Sequence, residues 1–588
     1  MSSSSSRPTF ATALMLGVGL AVLLPYRVLP IPNFLPEVLM IVVACIAALV
    51  ALGAAGLPRE SYLGWSAAGP MLLSTWLIVS IPFVQPSYPD TLVFPLVSLM
   101  VAASTAAFGS AYRRQGMLAS ACLILSISWI VASIGTAILQ VVQLFGPDRA
   151  EFWLLPRKPH LQPYGNLGQR NHAACVHALA LLSAAHLLWS RQKPFRWVLA
   201  LSVVMALAGL VMSGSRIGSI LGGIGACAFV ILAVDLRRSD GRLDMGRIVR
   251  RGLLVALAYP VIYLLGAQLV AFTDAAQAFD GAIARWTTYG NTPRIVLQEL
   301  AIKIFLEHPF MGAGWGSFTA QSLNKADELL LPQYANNSHN LLTQLAAETG
   351  IVGLIVVVVP MAIVLVRALR AHFQPEQGYL LLLCAVFLVY SMTEFPLWHT
   401  FFLLPFMFAL GLLDTSAVEV RFSKAMRISA VAFYVSVCIA AGYAVDRYIG
   451  IARMTSLVFK PGRLSDEWRS YVFSNLNAPG FSPQTELLAF GLLNVDKNAI
   501  EQKIALGRRV VRQHIVQTVL TRQAGLLALN GQTDEAVAHL IAACRFYPEQ
   551  CHNTENELAT LAKLDPASFL PVLEEFQRRR PANTPSRE

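Results

Sequence analysis

The sequence predicts an all-α polytopic membrane protein with about thirteen membrane-spanning helices, followed by a soluble helical domain on the outer side. Three observations lead there. Mean hydropathy is +0.55, and 55% of the 588 residues are hydrophobic while only 13% are charged; a soluble globular chain carries about 25% charged residues. The apolar residues gather in runs near 20 residues long, enough to cross about 30 Å of hydrocarbon. Lys and Arg fall in alternate short loops between those runs, the pattern that sets orientation in a membrane.

Ser2–Ser6 and Arg7 precede a first run at 10–24 that no small-residue cleavage site follows, so this run is expected to stay as a helix. Further runs lie at about 35–57, 65–84, 91–111, 117–144, 171–189, 196–212, 214–234, 250–272, 347–368, 378–395, 400–414 and 426–445. Taken alternately, the loops carry Arg59; Arg113 and Arg114; Arg191, Lys193 and Arg196; Arg237, Arg238, Arg242, Arg247, Arg250 and Arg251; Arg367 and Arg370; and Arg421, Lys424 and Arg427. These loops are expected on the cytoplasmic side with the N-terminus. The long connections 145–170 and 273–346 then fall on the far side with the C-terminal region. For a bacterial inner membrane that side is the periplasm. The net charge of +11 and pI near 9.3 are thus topology signals, and nucleic acid is not an expected partner.

Six cysteines lie singly inside apolar runs, where a thiol behaves as a small hydrophobe. Cys544 and Cys551 lie in polar sequence; they can pair in an oxidising compartment, although two helical cysteines seven apart are more often free. Residues 447–588 hold 17 Lys/Arg and 14 Asp/Glu, against 48 charges in the 446 residues before them, which marks a soluble domain. Within it, 524–547 reads as helix, Asn530-Gly531 turn, and a second helix opened by Asp534 and Glu535, like one helix pair of the tetratricopeptide type. Such a domain either binds a protein partner or caps the membrane domain, and the capping role is slightly favoured. The expected divisions are 1–159, N-terminal helices; 160–415, catalytic region; 416–446, last helix; and 447–588, helical domain.

Ionisable groups at membrane edges are costly and invite a functional reading. Arg216, in "MSGSRIGS", sits at the tight junction of two runs, between Gly214 and Gly218. Arg294 opens a segment that reads as an amphipathic helix followed by a Gly/Trp-rich turn, "HPFMGAGWGSF". His339 lies among Asn336, Asn337 and Asn340 before the next span. A snorkelling arginine, a solvated helix face and a helix cap are the bland alternatives for the three. In "HLQPYGNLGQRNHAACV" at 160–176, Asn166, Gln169, Asn171 and His172 gather at another mouth. Loop packing and contact with sugar hydroxyls, which need both donors and acceptors, suit these amides equally. No cluster of ligand spacing, no D-x-D pair in the large loops and no phosphate-binding G-x-x-x-x-G-K-[ST] loop is present, so no metal or cofactor is expected.

Taken in order, "YGNLGQRNHAA" at 164–174, "SGSRIG" at 213–218, "PRIVLQELAIKIFLEHPFMGAGWGSF" at 293–318, "SHNLLTQLAAETGIVGL" at 338–354 and "TEFPLWHTFFLLPFMFALGLL" at 393–413 resemble the bacterial O-antigen ligase and polymerase superfamily. The first and last segments resemble its protein-glycosylating branch, the O-oligosaccharyltransferases, with Arg170 where a proline is expected. The resemblance implies transfer of a preassembled glycan from undecaprenyl pyrophosphate to Ser/Thr hydroxyls of exported proteins, such as pilin-like or periplasmic proteins, at the periplasmic face of the inner membrane. O-antigen ligation to lipid A core and O-antigen polymerisation are the alternatives. For that chemistry His339 is the candidate catalytic base. Arg216 and Arg294 are candidates to hold the pyrophosphate, and Asn166, Gln169, Asn171 and His172 to contact the donor glycan. Glu394 and His399 are site-shaping candidates, Glu394 fitting still better as the structural partner of a membrane-edge arginine. Direct attack would invert the anomeric centre.

Overall fold

The structure, a computed structural model, describes residues 9–54, 60–145, 153–156, 162–189, 196–231, 292–329, 334–371, 374–458 and 478–580, with isolated positions between 246 and 268 and at 470 and 476. The expected span at 250–272, the loop carrying Arg59 and the basic loops at 190–195 and 232–245 lie largely or wholly outside these residues. Among the described residues, seven helices are long and apolar enough to cross a membrane: 34–53, 65–84, 89–114, 118–145, 170–188, 341–370 and 424–456. Five apolar helices are shorter, at Thr9–Leu23, Trp197–Ser213, Arg216–Ala228, Pro375–Ser391 and Thr400–Leu413. These correspond to the remaining expected runs.

The chain forms two compact units. The first comprises residues 1–74, 97–290 and 356–445. It contains α1 (Thr9–Leu23), α2 (Phe34–Ala54), α5 (Leu118–Phe145), α6 (Arg170–Trp189), α7 (Arg196–Ser213), α8 (Arg216–Ile231), α12 (Pro375–Ser391) and α13 (Thr400–Leu413), with parts of α3 (Trp65–Val84), α4 (Val93–Arg114), α11 (Leu341–Arg370) and α14 (Lys424–Val458). At its centre α6 packs against α5, α7, α8 and α12. Small residues let them approach: a Cβ added at Gly218 would lie 2.6 Å from Ala174 Cβ, and one at Gly225 would lie 2.9 Å from the Ala178 carbonyl oxygen. Buried polar side chains cross-link the same helices, His177 to Ser133 (2.8 Å) and Gln140 (2.9 Å), and His186 to Ser126 (2.9 Å). In a medium without water such groups must find partners within the protein.

The connecting segments of this unit collect at two ends. At one, Arg113 donates to the Leu412 carbonyl (2.8 Å), Arg114 to that of Ala417 (2.6 Å), and Ser66 N–H to Asp414 (2.8 Å). At the other, Arg27 meets Asn166, His399 meets Glu37, and Asn171 meets both Glu394 and Ser215. This is the grouping that the alternating charge pattern requires. The architecture is predominantly helical as expected, with one short ribbon at the first end, where β1 (Glu60–Leu63) pairs antiparallel with β2 (Val418–Arg421). Both strands are four residues long, too short and too polar to stand out from their loops. In a background lacking the six free cysteines, Tyr26→Cys and Thr415→Cys are expected to react with an impermeant maleimide from opposite membrane faces. Labelling from one face would contradict the topology.

The second unit comprises 75–96, 291–355 and 446–588. It contains α9 (Thr292–Glu307), α10 (Phe318–Asn324), the first half of α11, and α15 (Ser482–Leu492), α16 (Ile500–Val511), α17 (Gln517–Leu529), α18 (Thr533–Phe546), α19 (Cys551–Leu564) and α20 (Pro566–Arg579). The expected hairpin is present: α17 and α18 flank a turn at Asn530–Gln532 whose Gly531 has φ 73°, and Asp534 and Glu535 lie in the first turn of α18. A second pair, α19 and α20, meets at Asp565, which accepts the Ser568 N–H (3.3 Å) as an N-cap. The expectation of free thiols in this domain is corrected, because Cys544 and Cys551 are bonded. A continuous helix would hold them about 10 Å apart, but the chain turns at Pro548–Gln550 and their Cα atoms come to 4.6 Å.

Candidate functional site

In the first unit the segment 162–172 takes its shape from two glycines and two amides. Gly165 (φ 60°) and Gly168 (φ 70°) occupy the left-handed region, which a side chain disfavours. Gln143 accepts the Tyr164 and Gly165 N–H groups (3.0 and 2.8 Å) and donates to the carbonyls of Leu155 and Gly165. Asn166 is fully buried; it donates to the carbonyls of Leu23 (2.6 Å) and Trp153 (2.9 Å) and accepts from Leu155 N–H (2.9 Å). Its amide is therefore committed to loop packing. Gln169 and Arg170 are half-buried, and Arg170 donates to Gln162 (2.5 Å).

Asn171 and His172, on the first turn of α6, join a buried network instead. Asn171 donates to Glu394 (2.7 Å) and accepts from Ser215 Oγ (2.7 Å), which itself caps α8 by accepting from Gly218 N–H (3.0 Å). Arg216 begins α8 beside that cap and is half-buried. His172 Nδ1 hydrogen-bonds Tyr390 OH (2.6 Å), its ring stands edge-on to His399 with centroids 4.8 Å apart, and its Nε2 is buried with no hydrogen-bond partner among the described residues.

His399 donates from Nδ1 to Glu37 (2.5 Å), and the other Glu37 oxygen accepts from Thr400 through its N–H and its hydroxyl (2.6 Å for the hydroxyl). Arg27 reaches Asn33 (3.0 Å), the Asn166 carbonyl (3.0 Å) and the Ala21 carbonyl (3.1 Å) and lies over the Phe401 ring. Burial pulls its guanidinium down to about 10, with Glu37 acting the other way, so it stays charged at neutral pH. Arg27, Asn33, Glu37, Ser215 and Tyr390 are thus functional candidates that the sequence reading missed. An acid inside an apolar run and a lone arginine in a loop opposite the basic ones were the available signals. Glu37→Leu is expected to destabilise the protein by about 1–3 kcal/mol, because it leaves the buried His399 ring and the Thr400 N–H and hydroxyl without their acceptor. Thermal unfolding in detergent should show Glu37→Leu/His399→Leu recovering part of that loss; a single variant as stable as wild type would contradict it.

Arg294 and His339 lie in the second unit. Arg294, half-buried, is in the first turn of α9, which packs Val296, Leu297, Leu300, Ala301 and Ile304 against Phe318 and Ala347. The amphipathic expectation is corrected here, since the outward face carries Ile295, Ile302 and Leu306, all at least half exposed. The Gly/Trp-rich turn docks into a break in α11 at Gly350 (φ 66°, ψ −169°). Backbone carbonyls freed by the break are all taken: Ala347 by Ala313 N–H (2.9 Å), Glu348 by Gly314 N–H (3.0 Å) and Thr349 by Trp76 Nε1–H (2.9 Å). The buried Glu348 carboxylate accepts the Phe318 N–H (3.3 Å).

His339 is one of three non-glycine residues described with positive φ, at 56°. Its neighbours hold it there. Asn337 accepts the His339 N–H (3.0 Å), Gln344 accepts the Ser338 N–H (2.7 Å), and Asn340, not His339, caps α11 by accepting from Leu342 N–H (3.0 Å) and Thr343 N–H (3.3 Å). Strain held by an over-determined loop is a mark of functional positions. The imidazole is half-buried, so a proton acceptor is presented at a fixed place.

Residues 201–358, which include Arg216, Arg294 and His339, match the family model for O-Antigen ligase. Residues 378–562, which include Glu394, His399 and most of the C-terminal helices, match that for Virulence factor membrane-bound polymerase, C-terminal. No curated protein matches the chain significantly. The two matches support the O-antigen ligase and polymerase superfamily, and with it a membrane glycan-transfer or polymerase function.

Proposed function

We propose that this protein transfers a preassembled glycan from undecaprenyl pyrophosphate to Ser/Thr hydroxyls of exported proteins, at the periplasmic face of the inner membrane and without a metal. The observation that carries the reading is the pinned, left-handed His339 inside the segment matched to O-antigen ligase. An alcohol is a weak nucleophile until a base takes its proton, and His339 is that base. Charge grows on the pyrophosphate as the C1–oxygen bond breaks; Arg216 and Arg294 hold it by paired N–H donors. Arg216 is suited by its place at a capped helix N-terminus, where backbone dipoles also favour an anion. Asn171, His172 and Gln169 contact the donor sugars, and Glu394, with Asn171 and Ser215, fixes the mouth of α6 against α8. Asn166 shapes the same loop from beneath.

Attack is direct, so the anomeric centre inverts. The polymerase match over 378–562 favours a second reading, in which the acceptor is another lipid-linked glycan. The reading is tested by offering purified protein one lipid-linked donor and three acceptors together: an exported protein, lipid A core, and a second lipid-linked glycan. Product on protein with the opposite anomer supports it. Product only on lipid A core or glycan moves the assignment to ligase or polymerase, and retention of the anomer overturns direct attack.

A further inference from the structure

In the second unit the strained position of His339 traces back to a buried carboxylate on α11. Ser338, directly before the histidine, is fully buried, and its N–H donates to Gln344 Oε1 (2.7 Å). Gln344 and Glu348 lie one turn apart on the first half of α11, on the same helix face, and both are buried. The Gln344 amide donates to the Glu348 carboxylate, which also accepts the Gly316 N–H and the Phe318 N–H (3.3 Å for Phe318) from the end of the Gly/Trp-rich turn. An amide side chain can face either way round, and its partners decide which. A carboxylate only accepts, so Gln344 must turn its NH2 group toward Glu348, which leaves its oxygen for Ser338. The carboxylate thus ties the Gly/Trp-rich turn to the loop that carries His339.

We propose that Glu348 and Gln344 are positioning residues for His339: the carboxylate orients the amide, the amide oxygen fixes the Ser338 N–H, and the next residue is thereby kept at φ 56°. The bearing on rate rests on the reading of His339 as the base of glycan transfer, whereas the placement of the imidazole can be measured without activity. Glu348→Gln keeps the size of the side chain but adds a donor. Its amide then meets either Gln344 or the Gly316 and Phe318 N–H groups donor to donor, and a Gln344 amide that flips in response turns its NH2 group on the Ser338 N–H. Gln344→Leu cuts only the branch to Ser338 and leaves the turn its contacts with Glu348.

The test is carbethoxylation of the full-length protein in detergent by diethyl pyrocarbonate, well below the unfolding midpoint of each variant, alongside steady-state transfer. Modification of His339 and of the exposed His552 on α19 is followed by mass spectrometry. In both variants His339 is expected to react several-fold faster than in wild type, and His552 at the wild-type rate. Transfer should lose about 10–100-fold in kcat with KM for the donor unchanged, and neither substitution should lower the residual rate further in a His339→Ala background. Gln344→Leu without effect on the reactivity of His339 would reduce Glu348 to a clamp for the turn and overturn the proposal, as would a further loss of rate in the His339→Ala background. Faster modification of His339 in both variants, with transfer indifferent to His339→Ala, would support the placement and overturn only the reading of His339 as the base.

Discussion

Alanine in place of His339 is expected to lower the initial rate of glycan transfer by about 10²–10⁴-fold, the usual range for loss of a general base, while thermal unfolding stays within about 1 kcal/mol of wild type. The two expectations separate because the loop is held by groups other than the imidazole: Asn337 and Gln344 accept backbone N–H groups, and Asn340 caps the helix. The backbone conformation supplies a sharper control. At φ 56° asparagine and glycine are tolerated better than most residues, so His339→Asn and His339→Gly should unfold at midpoints no lower than wild type and yet be as inactive as alanine. Activity surviving in any of the three would place the base elsewhere.

Gly350→Ala is expected to destabilise the protein by about 3 kcal/mol or more, since it combines a backbone region open essentially to glycine with overpacking. A Cβ there would lie 2.2 Å from the Phe310 carbonyl oxygen, and the docked segment 309–314 has no space to retreat while it satisfies the carbonyls of Ala347 and Glu348. The variant should therefore expose that segment to protease and lower transfer together with stability. Gly442→Ala, on α14 where nothing lies within 4 Å, is the matched control and should be silent. An unchanged unfolding midpoint in Gly350→Ala would show that the helix break is not what holds the turn.

Hydropathy and the alternating arginines made the helices legible, because both respond to the membrane and not to tertiary detail. Twelve expected runs appear as helices among the described residues. The hairpin at Asn530-Gly531 was legible for a local reason, a turn residue followed by acids at a helix start. The network around His399 was not. Its members, Arg27, Asn33, Glu37 and Tyr390, come from distant segments, Asn33 and His399 lying 366 residues apart in sequence, and nothing local in the sequence says which histidine a buried glutamate will meet. Asn166 and Asn171 show the same limit at close range: one amide packs a loop while the other, five residues on, joins Glu394 and Ser215. The reading of α9 failed because its outward apolar residues carry no sign of which face will be covered.

The measurement that bears most directly on the central claim is reconstituted transfer. Purified protein is mixed with a defined undecaprenyl-pyrophosphate glycan and an exported acceptor protein in EDTA, and modified Ser or Thr residues are sought by mass spectrometry in wild type and His339→Ala. Glycosylated acceptor formed by the wild type in EDTA and absent from the variant is the predicted result. Product formed equally by both proteins, or formed only when a divalent metal is restored, would contradict the mechanism.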